Sequence, residues 1–176
     1  MNYILVDQKI LLAVQKWRRP FLNKLFLFIT YTGTGKFWFV FASIVNVLNL
    51  AGIKFIEQQT QFLRSMFCPL IAWIVGSWIK RLVSRKRPSE AISGYLRVIE
   101  SPNCGSFPSS HTAGAVAFYA SLQLNAHPSA LVVGVWAFLV SFSRLYLGVH
   151  YLSDILGGAL LGSAIAFALG SGHFLF

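Results

Sequence analysis

Charge is scarce in this chain, and acidic charge most of all. Charged side chains make up 11% of its 176 residues, whereas a soluble globular domain has roughly 25%. The 15 Lys and Arg residues outnumber the 5 Asp and Glu residues, which gives a net charge of +10. No charged residue occurs from Ser101 to Ser143 or from Ile155 to Phe176. So few charges could not cover a soluble protein, and about 20 apolar residues cross a bilayer. The sequence therefore predicts an integral membrane protein.

Cysteine and targeting signals are scarce as well. The two cysteines are Cys68, within a predicted span, and Cys104, in a predicted loop. We interpret both as unpaired thiols. The N-terminus lacks the basic segment, apolar run and small-residue cleavage site of a secretory signal peptide, so we expect no cleaved leader.

Hydrophobic runs and helix breakers predict an all-α fold, an integral membrane six-helix bundle that forms a single domain over residues 1–176. Residues 1–19 mix apolar and charged positions and are predicted to form an amphipathic helix at the membrane interface. The short apolar segment 21–32 is expected to lead into the second helix. The later helices are expected at 37–53, 62–86, 109–125, 129–147 and 150–169. Gly158 and Gly162 form a small-residue pair that favours close packing of the last helix.

Four of these helix ends carry most of the polar residues. The third predicted helix ends at 80–87, the fourth begins at Ser109, the fifth ends at Arg144 and the sixth begins at His150. Successive helices alternate in direction across a membrane, so all four ends are predicted to emerge at one surface. A site at that surface would draw its residues from segment 62–169.

Positive charge is concentrated in two clusters. Nucleic acid, anionic lipid headgroups or an anionic substrate could each explain it, but no basic face belongs to a soluble domain, which argues against nucleic acid. The N-terminal cluster is interpreted as a cytoplasmic anchor under the positive-inside rule. It consists of Lys9, Lys16, Arg18, Arg19 and Lys24. The second cluster consists of Lys80, Arg81, Arg85, Lys86 and Arg87.

Lys80 and Arg87 are seven residues apart, which places them on one face of a helix. The alternative interpretation is snorkelling, in which the charged ends of the side chains reach water at the membrane interface. Snorkelling suits Arg81, Arg85 and Lys86, which are predicted to point elsewhere.

The segment Pro108-Ser109-Ser110-His111 is a helix-start signal. Its serines could serve only to cap the helix. Alternatively, the free backbone N–H groups and the positive end of the helix dipole could form an anion site, with His111 in the first turn beside the anion.

His150 and Asp154 are four residues apart and are predicted to share one helix face. A carboxylate can hold the proton of one imidazole nitrogen and leave the other nitrogen nucleophilic. Asp154 is the only acidic residue after Glu100, and a carboxylate in a membrane helix is costly unless it has a partner. The alternative is a structural His–Asp pair that only ties helices together.

The predicted cluster of two histidines, one carboxylate, three cations and a helix N-terminus favours phosphoryl transfer. One carboxylate and two histidines beside cations make a poor metal site, so we predict no metal and no cofactor. A serine-hydrolase triad with Ser109 or Ser110 as nucleophile would need an oxyanion hole, not three cations. Phosphoryl transfer does require a cradle for a multiply charged group.

The three blocks resemble the three-part signature of the type 2 phosphatidic acid phosphatase superfamily. The matching positions are Lys80-x6-Arg87-Pro88, Pro108-Ser109-Ser110-His111 and Ser143-Arg144-x5-His150-x3-Asp154. The chain departs from this signature at Ser110, where the family usually has glycine, but the backbone N–H survives that change.

This resemblance implies a metal-independent phosphatase with a phosphohistidine intermediate. It implies that His150 attacks phosphorus, that Asp154 orients His150, and that His111 protonates the leaving oxygen and then activates water. It also implies that the phosphate oxygens are bound by Lys80, Arg87, Arg144, Ser109 and Ser110. The remaining histidines, His127 and His173, are interpreted as ordinary residues.

A site at a membrane surface suits an amphiphilic substrate. The candidates are phosphatidylglycerophosphate, phosphatidic acid, undecaprenyl diphosphate and a lipid A phosphate, and the sequence leaves the choice open. Phosphate transfer to another lipid, or binding of lipid or anion without catalysis, are alternative functions. With a cytoplasmic N-terminus, the site is expected to face the periplasm or the cell exterior from the inner (cytoplasmic) membrane. The predicted partners are a lipid phosphate and the bilayer.

Overall fold

The computed structural model describes residues 3–53, 59–100 and 105–170, and the chain is helical throughout these ranges, with short connections. The helices are α1 (Tyr3–Gln15), α2 (Pro20–Thr32), α3 (Gly35–Leu50), α4 (Gln59–Ser65), α5 (Phe67–Val83), α6 (Pro88–Ala91), α7 (Ser110–Leu124), α8 (Ala130–Tyr146) and α9 (Leu152–Gly170). No strand occurs in the described ranges, which confirms the all-α prediction. Cys68 is buried and unpaired, whereas Cys104 and His173 lie outside the described residues.

Two helical stretches, Gln61–Ala91 and Leu152–Leu169, are long and apolar enough to cross a membrane. Helices α2 and α3 meet at an angle of 57° and provide a third span if they are counted together, and α8 is a shorter apolar helix. These lengths support an integral membrane protein, but they do not reproduce a count of six spanning helices. The predicted third helix is interrupted at Met66, which separates α4 from α5.

Helix α7 lies at the centre of the bundle, against α5, α8 and α9. Small buried residues such as Ala113 and Ala117 let its neighbours approach closely. On α9, a Cβ atom at Gly158 would lie 2.6 Å from the Ser109 carbonyl oxygen, and one at Gly162 would lie 2.9 Å from the Ala117 nitrogen. The predicted close packing through Gly158 and Gly162 is therefore confirmed, and it holds the start of α7 beside the start of α9.

Helix α1 packs across the end of the bundle where α8 ends and α9 begins. Its Leu11 and Val14 are buried in the apolar cluster that contains Tyr146. Just after α1, Arg18 donates a hydrogen bond to the Tyr146 carbonyl oxygen (2.9 Å), and the Arg19 backbone N–H donates to the Tyr146 hydroxyl (3.0 Å). The helix predicted within residues 1–19 is thus present, and its placement at a lipid interface stays a prediction.

This arrangement corrects the prediction that the N-terminal basic cluster and the site lie on opposite sides of the membrane. Helix α2 begins beside Tyr146, and the bent α2–α3 pair passes along the bundle once. At the other end of the bundle, Gln61 in α4 donates to the carbonyl oxygen of Asn125, the C-cap of α7. The N-terminal cluster and the four helix ends of the site therefore share one end of the bundle.

Single cysteines can test this shared end. In a Cys104→Ser background, Trp17→Cys and Lys86→Cys, both at exposed positions near the site end, are expected to react with a membrane-impermeant thiol reagent from the same side of sealed vesicles. Gln123→Cys, exposed in the last turn of α7, is expected to react only from the other side. Labelling of positions 17 and 86 from opposite sides would contradict the arrangement.

Candidate active site

His150 and Asp154 form a buried pair at the start of α9. The exposed fraction of His150 is 1% and that of Asp154 is 0%. Imidazole Nδ1 lies 3.4 Å from carboxylate Oδ2, which also accepts a hydrogen bond from the Tyr151 backbone N–H at 2.9 Å. Helix α9 begins at Leu152, so His150 precedes the helix and Asp154 lies in its first turn. The carboxylate therefore lies beside the Nδ1 side of the imidazole ring.

Three cations come from α5, from α8 and from the connection between α5 and α6. Arg87 is buried and donates to the Val149 carbonyl oxygen at 3.0 Å, immediately before His150. Arg144, in the last turn of α8, donates to the Thr30 hydroxyl at 2.6 Å. Lys80, in the last turn of α5, is 7% exposed. All three cations act electrostatically on both His111 and His150, which places the predicted cations around the two histidines.

The start of α7 supplies the remaining predicted residues. Ser109 caps the helix, because its hydroxyl oxygen accepts hydrogen bonds from the Thr112 N–H (3.5 Å) and the Thr112 hydroxyl (3.1 Å). The Ser109 backbone N–H donates to the Asp154 carbonyl oxygen at 2.9 Å and so ties α7 to α9. Ser110 is buried and His111 is half-buried in the first turn. Capping accounts for Ser109, but it leaves the Ser110 and His111 side chains available to a ligand.

Unpaired buried atoms are concentrated here. In the described part of the chain, six buried side-chain nitrogen or oxygen atoms have no hydrogen-bond partner, and three of them are Ser110 Oγ, Arg144 Nε and His150 Nδ1. Buried polar atoms are normally paired, and those that are not call for an explanation. An anionic group beside His150 would give the Arg144 N–H a partner, whereas the Ser110 hydroxyl faces Gly76 of α5, where an added Cβ would lie 3.3 Å from its oxygen. The same part of the chain contains no group of three or more His, Cys, Asp or Glu side chains arranged to hold a metal ion.

The environment of His150 favours a neutral imidazole. Burial lowers the pKa of His150 well below its ordinary value, and Lys80, Arg144 and Arg87 lower that pKa further. Both effects disfavour the imidazolium form, because a fourth positive charge would be buried beside these three. At neutral pH the imidazole therefore keeps a lone pair that can attack an electrophile.

Comparison with known proteins settles the family. Residues 61–174 match the sequence model of the PAP2 superfamily, across the segment that carries the three blocks. The chain belongs to this superfamily. The match confirms the resemblance to the type 2 phosphatidic acid phosphatases, which rested on ten positions of the sequence.

Relatives of this PAP2 chain are named as phosphatases. It is 28% identical over 172 residues to phosphatidylglycerophosphatase B of Bacillus subtilis (strain 168), across 92% of this chain and 80% of the relative. It is 27% identical over 147 residues to an undecaprenyl-diphosphatase of Sulfolobus acidocaldarius, across 83% and 68%. Its fold is similar to the crystal structure of a transmembrane PAP2 type phosphatidylglycerolphosphate phosphatase from Bacillus subtilis, with a TM-score of 0.78 and 27% identity over 97% of this chain and 86% of that one. The family and these names class the chain as a membrane phosphatase, a hydrolase.

The structure places one cation at this PAP2 site that the sequence did not predict there. Arg85 was expected to snorkel at the interface, but its guanidinium lies 2.7 Å from Asp154 and 2.9 Å from Asp7 of α1. The prediction was wrong because helix α5 ends at Val83, and Ser84 adopts a left-handed conformation with φ of 47°. Spacing along a helix therefore does not apply to residues 84–87, and Arg87 too reaches the site from outside the helix. No pattern in the sequence indicates the role of Asp7.

Proposed function

We propose that this PAP2 chain hydrolyses a phosphomonoester or diphosphate of a membrane lipid, without a metal ion, through a phosphohistidine intermediate. The observation that carries the proposal is the combination of a buried His150 beside Asp154 with unpaired donors on Arg144 and Ser110. A multiply charged phosphoryl group needs several donors in fixed positions, and it needs a neutral nucleophile in line with the leaving oxygen.

In the proposed first step, His150 Nε2 attacks phosphorus while Asp154 faces Nδ1 and stabilises the charge that develops on the ring. The bond between phosphorus and the leaving oxygen breaks, and His111, in the protonated form that the negative charge of the bound phosphate favours, donates a proton to that oxygen. In the second step His111 takes a proton from water, the resulting hydroxide attacks phosphorus, and the P–N bond to His150 breaks. Each step moves one proton, and the enzyme returns to its starting protonation state.

The proposed cradle for the phosphoryl oxygens consists of Lys80, Arg87, Arg144, Ser109 and Ser110. The geometry of Ser109 supports this role, because its oxygen accepts both hydrogen bonds from Thr112 and its own O–H stays free to donate. The Ser110 N–H is one of the first N–H groups of α7, which have no partner within the helix. Ser110 also adds a hydroxyl that the usual glycine lacks.

A lipid substrate is supported by an apolar cavity that reaches the start of α7 at Ser110. The cavity has a volume of about 430 Å³ and extends from Ser110 between α3 and α5, where Phe39 and Trp73 contribute to its lining. An acyl or prenyl chain could occupy it while the phosphate lies in the cradle. The candidates remain phosphatidylglycerophosphate, phosphatidic acid, undecaprenyl diphosphate and a lipid A phosphate, and the two relatives described above are named for the first and the third.

We also propose that the site opens at the outer face of the inner (cytoplasmic) membrane. Because α1 lies at the same end, the N-terminal basic cluster then lies on that face too, against the expectation from the positive-inside rule. Of that cluster, Arg18 donates hydrogen bonds to the carbonyl oxygens of Tyr146 and Leu96, so its charge is held by protein groups. The cysteine-labelling experiment decides between the two faces when it is performed on intact cells.

Phosphate release by the purified protein tests the proposed function. A panel of the four candidate lipids, together with a short-chain soluble phosphomonoester, is expected to show release from at least one long-chain lipid and much weaker release from the soluble compound. EDTA should leave the rate unchanged, and vanadate should inhibit, because it mimics five-coordinate phosphorus. Binding of the lipids without release would indicate a lipid-binding protein, and a phosphorylated acceptor lipid would indicate a phosphotransferase. Either result would overturn the proposal.

A further inference from the structure

Arg85 joins two carboxylates that come from opposite ends of the sequence. Its Nη1 lies 2.7 Å from Asp154 Oδ1 and its Nη2 lies 2.9 Å from Asp7 Oδ2. The side chains of Asp154 and Asp7 are 0% and 7% exposed, and that of Arg85 is 20% exposed. Both ion pairs are largely shielded from water. In such a buried environment, loss of one partner leaves a charge that neither solvent nor protein compensates.

Ser153 is hydrogen-bonded to both Asp7 and Arg85. Its backbone N–H donates to Asp7 Oδ1 at 3.0 Å, and its hydroxyl donates to Asp7 Oδ2. The Ser153 hydroxyl oxygen also accepts from Arg85 Nη1 at 2.6 Å. Asp7 therefore satisfies a free N–H group in the first turn of α9 from a remote helix, one residue before Asp154. Movement of α1 would disturb the first turn of α9 directly.

The position of Arg85 is fixed at its backbone and along its side chain. Its carbonyl oxygen accepts a hydrogen bond from the Ser106 N–H at 2.8 Å. Its guanidinium lies over the ring of Tyr151, 4.4 Å from the ring centroid. The bidentate fork of an arginine reaches two carboxylates in one plane, which a lysine cannot reproduce.

We propose that Arg85 and Asp7 are positioning residues for the reaction: Arg85 holds Asp154 Oδ1 so that Oδ2 faces His150 Nδ1, and Asp7 fixes Arg85 and the first turn of α9. This inference rests on the proposed function, because it assumes that His150 is the nucleophile. Each oxygen of Asp154 then has its own partners, Arg85 for Oδ1 and the Tyr151 N–H for Oδ2. Without Arg85 the carboxylate keeps the Tyr151 N–H at Oδ2 but loses its charged partner at Oδ1, so we expect its orientation toward His150 to be less well defined.

Arg85→Gln tests the proposal. It is expected to lower kcat by about 10- to 100-fold, the usual effect of removing a group that orients a reacting side chain. The KM should stay within about twofold, because the groups proposed to bind phosphate remain in place. Arg85→Lys should restore part of kcat, since it keeps the charge but loses the fork. The matched control is Arg81→Gln, at an exposed position on the same segment, which should leave both constants unchanged.

The Asp7→Asn variant separates positioning from folding, because it leaves Arg85 and Asp154 in place. Its kcat should fall less than that of Arg85→Gln, and the Asp7→Asn/Arg85→Gln double variant should be no slower than Arg85→Gln alone, since both changes act through Asp154.

If Arg85→Gln does not fold, a lower kcat with unchanged KM and melting temperature in Arg85→Lys and Asp7→Asn still supports the proposal. An unchanged kcat in all three single variants, or a change confined to KM, would overturn it. His150→Ala is the reference variant and is expected to be inactive. Normal turnover by His150→Ala would contradict the proposed function itself, whatever the Arg85 variants show.

Discussion

Replacing His150 with alanine is expected to abolish turnover, with a fall in kcat of at least about 10⁴-fold, as found when a catalytic nucleophile or its base is removed from other hydrolases. In the proposed mechanism this imidazole is the group that attacks phosphorus beside Lys80, Arg87 and Arg144, so its loss removes the covalent intermediate. The measurement is phosphate release by purified protein from the best substrate of the lipid panel. The lipid should still bind, because the cations that hold its phosphate are intact.

His127→Gln is the matched control for this loss. His127 is also a buried histidine, 3% exposed, but it lies in the connection between α7 and α8, where its Nδ1 accepts a hydrogen bond from the Ser129 N–H at 3.2 Å. Its replacement should reduce thermal stability slightly and leave kcat per folded molecule unchanged. Turnover by His150→Ala above one per cent of the wild-type rate would exclude the covalent mechanism.

Much of the site could be predicted from the sequence because its residues occupy the ends of predicted helices. Alternation of helix direction predicts that the ends near Lys80, Ser109, Arg144 and His150 meet, and hydrogen bonds from Arg87 to Val149 and from Ser109 to Asp154 join these ends. Spans and caps follow from local composition, so they can be read without tertiary information. The roles of the site residues stay predictions until the variants are measured.

Residues that act through tertiary contacts could not be predicted in the same way. Arg85 has the same local sequence environment as the exposed Arg81, and only the left-handed turn at Ser84 sends it toward Asp154. Asp7 lies 147 positions before Asp154 in the sequence, and no periodicity relates a helix at one end of a chain to a helix at the other. Thr30, which binds Arg144, is likewise one of several polar residues in α2 that no motif distinguishes.

The prediction that the N-terminal cluster and the site lie at opposite ends of the bundle was wrong for a different reason. Segments 21–32 and 37–53 both looked apolar, and the sequence does not show whether two such segments form a hairpin or a single bent span. The structure forms one bent pair, with Thr34 capping α3 through the Phe37 N–H at 3.2 Å. One crossing fewer places the N-terminal cluster at the site end, so the interpretation of one connection decided the predicted end of the bundle.

Replacing Gly162 with leucine is expected to prevent assembly of the bundle, and Gly162→Ala is expected to destabilise it by about 1–3 kcal/mol, the usual cost of overpacking. A Cβ atom at this position would overlap the Ala113 carbonyl oxygen and approach the Ala117 nitrogen. Both are backbone atoms of the central helix α7, so no side-chain rotation can relieve the overlap. The measurement is the melting temperature and the monodisperse fraction of detergent-extracted protein on size exclusion.

Ala164→Leu, two residues further along α9 at an exposed position, is the control, and its melting temperature should equal that of the wild type. The separation of α7 and α9 also sets the distance between the start of α7 and Asp154, which the Ser109 N–H bridges to the Asp154 carbonyl oxygen at 2.9 Å. Forcing the helices apart should therefore lower the activity of whatever Gly162→Ala protein still folds. A Gly162→Leu protein with wild-type melting temperature and activity would show that α7 and α9 do not pack through this glycine.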